Sequence, residues 1–430
     1  MQVRRGSLCV RAVRLDARAM RLDARARHLV LGALCAVCAA CAGANSSVKP
    51  ATHPGDAGQG SARKVERIEL PEAVITAGPK AELALADLTQ DQLFDGGTKA
   101  FQAGDWTKAT LHFDRFLALY PDSNDWASAV WNSGLAHERL NEWRLALERW
   151  ETLLSRASRI PADVKHASDL GTEVDIGFHA ALDEHELGKL DDAIERLHAL
   201  SERPGVQLAR QAEAMVQEAV CRIERAKIAR AAAADGTITE AQKVGLNGRA
   251  EGERLLRRAL EVYEKAAADG SADSGLLAQA EFWIGEIYRS YFDETALDPK
   301  AMQEKALMDA LETKAQFLLS AQGHFLRAIR KGDGEWATAS GFKIGELYES
   351  FHEQILNAPL PQGLDAEQQA VYREELKKKV RVLLDKAMKV YEQTLATAQR
   401  VNAQSPYVAK TSEALTRMRA LLLEGPPRTN

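Results

Sequence analysis

Cysteine is scarce in this 430-residue chain, and four of its five copies, Cys9, Cys35, Cys38 and Cys41, sit within the first 41 residues. The body holds only Cys221, so it cannot be stapled by an internal disulfide. With Val216, Ala219 and Ile223 around it on a helical segment, Cys221 reads as a buried small apolar residue rather than a reactive thiol. Aromatic residues make up only 6% against 46% hydrophobic overall, which suits Ala- and Leu-rich helices with solvated outer faces. Alternating apolar runs are missing from Leu88 onward, which excludes strands and leaves helix as the one strong periodicity. The net charge is −5 and the body has no basic block, so nothing advertises a nucleic-acid footprint.

Catalytic patterns are missing too. His137-Glu138 and His352-Glu353 lack the second histidine of a zinc helix motif. His179 and His185 are six apart and fall on different faces of a helix. Asp235-Gly236-Thr237-Ile238-Thr239 has the middle of a calcium loop, but Ala231 and Ala233 stand where earlier ligands are needed. Asp269 to Gly275 lacks the loop glycine and closing acid in register, and both segments read as helix-joining turns. There is no Gly-rich phosphate loop and no Gly-x-Ser-x-Gly elbow. The expectation is a non-enzyme with no cofactor, no metal and no small-molecule substrate.

What is present begins at the N-terminus. Arg21 to His28 is basic, Leu29 to Ala40 is apolar, and small residues precede Cys41. The apolar run falls short of the ~20 residues that span a bilayer, so residues 1–40 read as an export signal, with Met1 or Met20 as its start. Its ending resembles a bacterial lipobox, with Cys38 where Leu is usual. That resemblance implies lipidation of Cys41 and, with Ala42 rather than Asp after it, the outer membrane facing the periplasm. Residues 41–86, rich in Ala, Gly, Pro and Ser, read as a flexible tether reaching roughly 35–40 Å.

From residue 87 the chain is built on a hairpin. Leu93 to Pro121 reads as two amphipathic helices joined at Gly104-Asp105, with small Gly96, Gly97 and Ala109 where the helices touch. Bulky Leu93, Trp106, Phe113 and Phe116 sit where a neighbour would cover them, and Pro121 ends the second helix. A lone hairpin cannot bury its apolar face, so copies must stack beside it. Second helices repeat a small residue, an apolar one four later and another at seven, with one polar exception. The series is Ala109/Phe113/Phe116, Ala146/Trp150/Leu153, Ala193/Leu197/Leu200, Ala259/Tyr263/Ala266, Ala321/Phe325/Ala328 and Ala387/Tyr391/Thr394. Residues 87–203 thus hold three hairpins and 204–402 three extended ones, with long helices near Leu208–Ala233, Lys300–Lys331 and Asp365–Val401. Glu374–Lys378 and Glu375–Lys379 are expected to pair on the last of these. Residues 403–430 supply a capping helix, Tyr407 to Leu423, and a tail.

Gly97, Ala100, Gly104, Asp105, Trp106, Ala109, Phe113 and Pro121 resemble the signature of the tetratricopeptide (TPR) repeat, with Leu93, Ala100 and Phe116 replacing its usual Trp, Tyr and Ala. Gly285 and Tyr288, like Gly345 and Tyr348, match its first-helix pattern. The resemblance implies an all-α, right-handed superhelical solenoid that binds protein partners on a concave face lined by first helices. Position five of those helices is aromatic throughout: Phe94, Trp131, Phe178, Phe282 and Phe342. Two readings remain open, direct partner contact or packing between adjacent helices. Thr98, Gln102, Glu138, Arg139, Glu286, Arg289, Glu346 and Glu349 flank them and would set partner choice.

Gly334-Glu335-Trp336-Ala337-Thr338-Ala339, Asn357-Ala358-Pro359, Gly363-Leu364-Asp365 and Val371-Tyr372-Arg373-Glu374-Glu375-Leu376 resemble the TPR lipoproteins of adventurous gliding motility machines. Over residues 275–420 this implies a periplasmic scaffold of an envelope complex. The rival reading is an outer-membrane protein assembly or envelope maintenance factor, which the Tyr120-Pro121-Asp122-Ser123 link and the spacing of the first two copies also resemble.

Overall fold

The computed structural model describes residues 88–156, 173–267, 274–297, 304–358, 360 and 365–423. The export signal, Cys41 and the tether lie outside them.

The described residues form helices and no strand. Six hairpins follow in order: α1 (Gln90–Gln102) with α2 (Trp106–Leu119), α3 (Trp126–Arg139) with α4 (Trp143–Ser155), and α5 (Glu173–Glu186) with α6 (Leu190–Glu202). In the fourth, α7 (Leu208–Ala234) pairs with α9 (Gly248–Ala267) across the short α8 (Glu240–Lys243) and a 3-10 turn, Val244–Asn247. Then come α10 (Ser274–Glu294) with α11 (Glu304–Arg330) and α12 (Gly334–Asn357) with α13 (Ala366–Val401), closed by α14 (Pro406–Leu423). The chain is therefore an all-α array of helical hairpins, and its long helices start and stop within a few residues of their expected bounds.

The repeated stripe explains the pairing. All eighteen residues of the series are buried, Ala109, Trp150, Leu197, Phe325 and Tyr391 to 0% exposure. In four of the hairpins a first-helix glycine receives the bulky member of the stripe. A Cβ added to Gly134 would meet the Trp150 ring at 2.6 Å, and one on Gly285 the Phe325 ring at 2.7 Å. Gly97 faces Phe113 and Gly345 faces Tyr391 in the same way. The fourth hairpin inverts the arrangement. Gly248 and Gly252 on its second helix lie against the α7 backbone, a role the sequence reading did not assign.

Burial runs in overlapping cores rather than one. Leu93, Phe113 and Phe116 share a cluster with Ala129 and Ala136 of the next hairpin, and Trp131 and Trp150 share theirs with Ile176 and Ala180. Ala214 and Cys221 complete the third core, Leu276 and Ile287 the fourth. The last takes in α10 to α14 and is closed by Ala414, Leu415 and Met418. Each core needs the following helix to be finished, the physical reason such hairpins occur in series. Tight turns between helices use left-handed backbone, at Gly104 with φ 74° and Asn141 with φ 58°.

The expected Glu374–Lys378 and Glu375–Lys379 pairs are shifted by one. Lys377 meets Glu374 at 2.9 Å and Lys378 meets Glu375 at 2.8 Å, the other spacing that shares a helix face. Trp106, expected to be covered, is half-buried, edge-on to Phe101 at 5.1 Å with Arg139 over its ring.

Candidate partner-binding face

Successive first helices lie side by side: α1 touches α3, α5 touches α7, α7 touches α10 and α10 touches α12. The position-five aromatics sit in the seams. Trp131 is edge-on to Trp150 of its own hairpin at 5.2 Å and to His179 of the next at 5.6 Å. Phe282 meets Phe325 at 5.6 Å and Trp336 at 5.1 Å, and Phe342 meets Tyr391 at 6.0 Å and Tyr407 at 5.7 Å. Phe178 lies under the Arg210 guanidinium at 4.8 Å. These four are 3–8% exposed, and Phe94, against Phe113 and Phe116, is half-buried. Trp131 and Phe282 each tie their own second helix to the next hairpin and Phe342 ties its own to the closing helix α14, which is packing.

On α1, α3, α10 and α12 the residues one and four places further along reach the surface instead, whereas on α5 their equivalents His179 and Leu182 are buried. Those at the surface are Asp95 and Thr98, Asn132 and Leu135, Trp283 and Glu286, and Lys343 and Glu346, all but the exposed Asp95 half-buried. At the α10/α12 seam they form a ladder of charges: Arg289 lies 3.1 Å from Glu346 and 3.5 Å from Glu286, and Lys343 lies 2.9 Å from Glu346. Burial works against the Arg289 charge, but Glu286, Glu346 and Asp293 outweigh it and raise its pKa. Thr98, Glu286, Arg289 and Glu346 are half-buried, with part of each side chain at the surface.

Glu138 and Glu349 are buried instead. Glu138 is 7% exposed and accepts from His179 Nδ1 at 2.7 Å; Glu349 is 8% exposed and accepts from the Tyr391 hydroxyl at 3.1 Å and from Arg417 at 2.6 Å. Each stands four residues after a buried glycine, Gly134 or Gly345. Half-buried Arg289 stands in the same relation to Gly285, so spacing alone does not tell the buried member from the surface one.

Several perturbed titratable groups are also interior. Asp183 is 1% exposed and accepts from Trp150 Nε1 at 2.9 Å. Burial first, then the nearby Glu138 charge, pushes its pKa up to about 9, so it stands as a neutral acid at pH 7. His137 presents Nδ1 to Glu142 at 2.6 Å and Nε2 to Asp114 at 3.1 Å. Two carboxylates can only accept, so both nitrogens donate and the ring is an imidazolium. Burial opposes that charge and the carboxylates override it, leaving the pKa above the ordinary histidine value. Lys314, 0% exposed, donates to the carbonyls of Phe292 and Thr295 at the end of α10, and burial lowers its pKa to about 8. All three groups join helices to one another rather than line a surface. No cluster of His, Cys, Asp and Glu suited to a metal occurs among the described residues, and no helix among them is long and apolar enough to cross a membrane.

No family model and no curated protein matches the chain. Among solved structures it is similar to a TPR repeats protein from Bacteroides fragilis, at 11% identity over 62% of this chain and 99% of that one, with a TM-score of 0.26. At that score the assignment of the fold rests on the helices described above.

Proposed function

We propose that the protein is a non-enzymatic scaffold that holds protein partners of a cell-envelope complex, anchored by lipid on Cys41 to the outer membrane and facing the periplasm. The binding half rests on one observation. Equivalent positions of α10 and α12 place a row of half-exposed residues, Trp283, Glu286, Lys343 and Glu346, beside one another above the buried Phe282 and Phe342. A row with Trp283 among alternating charges suits a peptide or helix from a partner, with the aromatic as anchor and the charges setting partner choice. The five position-five aromatics then act as the rigid base of the groove, with Phe94 the least covered. The resemblance of residues 275–420 to gliding motility lipoproteins supports a motility machine as the complex served.

Reversing the ladder with Glu286→Lys and Glu346→Lys is expected to cut crosslinked partner capture in intact cells by about tenfold, equivalent to ~1.4 kcal/mol, while helix content holds. Unchanged capture removes this face from the reading. Cys41→Ser is expected to move the protein from the membrane to the soluble fraction after cell fractionation. A variant that stays membrane-bound counts against the lipid anchor.

A further inference from the structure

The two helices of the sixth hairpin differ in length, 24 residues in α12 against 36 in α13. Their antiparallel register is fixed where Gly334 meets Val401, Gly341 meets Thr394 and Gly345 meets Tyr391. That register puts the end of α12, Asn357, level with about Lys378. The first roughly 12 residues of α13, ~18 Å at 1.5 Å per residue, therefore run past the end of their partner helix. Exposure agrees: from Ala366 to Lys379 only Gln369 and Leu376 are even half-covered, and Val380 is the first buried residue. Isolated helices of this length are marginal in water. The sequence nonetheless supports this one with a capping box, Asp365 to Gln368, and two i,i+3 ion pairs.

Its outward stripe is unusual in composition. At 100° per residue, Val371, Glu375, Lys378 and Val382 project within about 60° of one another, opposite the buried Val380. Val371 is 60% and Val382 52% exposed, with the Glu375 and Lys378 side chains between them also in solvent. The stripe is self-complementary. Turned end for end about a point between Glu375 and Lys378, it sets Val371 on Val382 and Glu375 on Lys378. The same operation sets Glu374 against Lys379 and Glu367 against Lys386. Every pair it creates among these residues is apolar with apolar or opposite in charge, which a two-fold interface between identical chains requires.

We propose that this projecting face of α13 docks on a second copy of the chain, as an antiparallel helix pair about a two-fold axis near residues 376 and 377. A pair of helices of this length buries less than the ~1,200 Å² of stable complexes, so the dimer is weak, with a Kd on the order of 10–100 µM.

Sedimentation velocity of the full chain over a concentration series tests it, with circular dichroism as the folding control. The wild type is expected to shift from monomer to dimer. Glu375→Lys, which sets lysine on lysine, and Lys378→Glu, which sets glutamate on glutamate, are each expected to weaken association at least tenfold. Mixing these two variants restores opposite charges at every contact and is expected to restore the dimer. Val371→Asp is expected to abolish it. The proposal is overturned by a wild type that stays monomeric into the millimolar range, which leaves a different partner as the occupant. Association insensitive to either charge reversal overturns it by placing the contact on another face. A mixture no better than its separate components overturns the antiparallel register and with it the proposal.

Discussion

Trp150→Ala is expected to cost about 3–5 kcal/mol. The indole is 0% exposed and fills the space that Gly134 leaves free. Its ring also lies tilted against His179 at 5.0 Å and meets Trp131 at 5.2 Å, so one side chain closes the second hairpin and joins it to the third. Removal opens a cavity and leaves Asp183 without its donor at 2.9 Å. Trp150→Phe removes the hydrogen bond and the outer part of the indole that meets Gly134 but keeps an inner ring, so a smaller loss of about 2–3 kcal/mol is expected. Urea unfolding gives the totals, and hydrogen exchange gives the location. Because stability in a linear array is a sum of local and nearest-neighbour terms, protection should fall across α3 to α6 and hold in α10 to α14. Uniform loss over the whole chain would mean a single cooperative unit instead.

The second large effect is on pH dependence. Asp183 has its pKa raised from the ordinary carboxylate value to about 9, chiefly by burial and next by Glu138. The folded chain therefore binds a proton that the unfolded chain releases near pH 4. Stability from this group is complete below that value and is lost as pH rises through about 9, the reverse of a salt-bridged carboxylate. Asp183→Asn keeps an acceptor for Trp150 and removes the titration. It is expected to raise stability at pH 8 by on the order of 1–3 kcal/mol and to do little at pH 4. Equal gains at both values would show that the carboxyl is already charged in the fold. His137 works in the same direction, since its raised pKa makes its ion pairs strongest below its unfolded value near 6.5 and weaker as pH climbs. The comparison of variant with wild type isolates Asp183 from it.

Much of this was legible in the chain itself. The absence of strands, the six stripes and the bounds of the long helices follow from periodicity, because an apolar residue every three or four places has only one face to hide. Gly134 and Gly345 further announce where a Trp or Tyr must enter. Spacing did not place Glu138 and Glu349 in the interior, since Arg289, equally four residues past Gly285, stays half-exposed.

Other features needed the third dimension. Which neighbour completes each core, that Trp131 and Phe282 each knit two hairpins while Phe342 knits the last to α14, and that Asp183 stands protonated all depend on residues distant in sequence. So does the overhang of α13, since the end of a helix says nothing about where its partner stops. Periodicity fixes which side of a helix avoids water, and that is local chemistry. What then lies against that side, and at what dielectric, is set only when the hairpins stack.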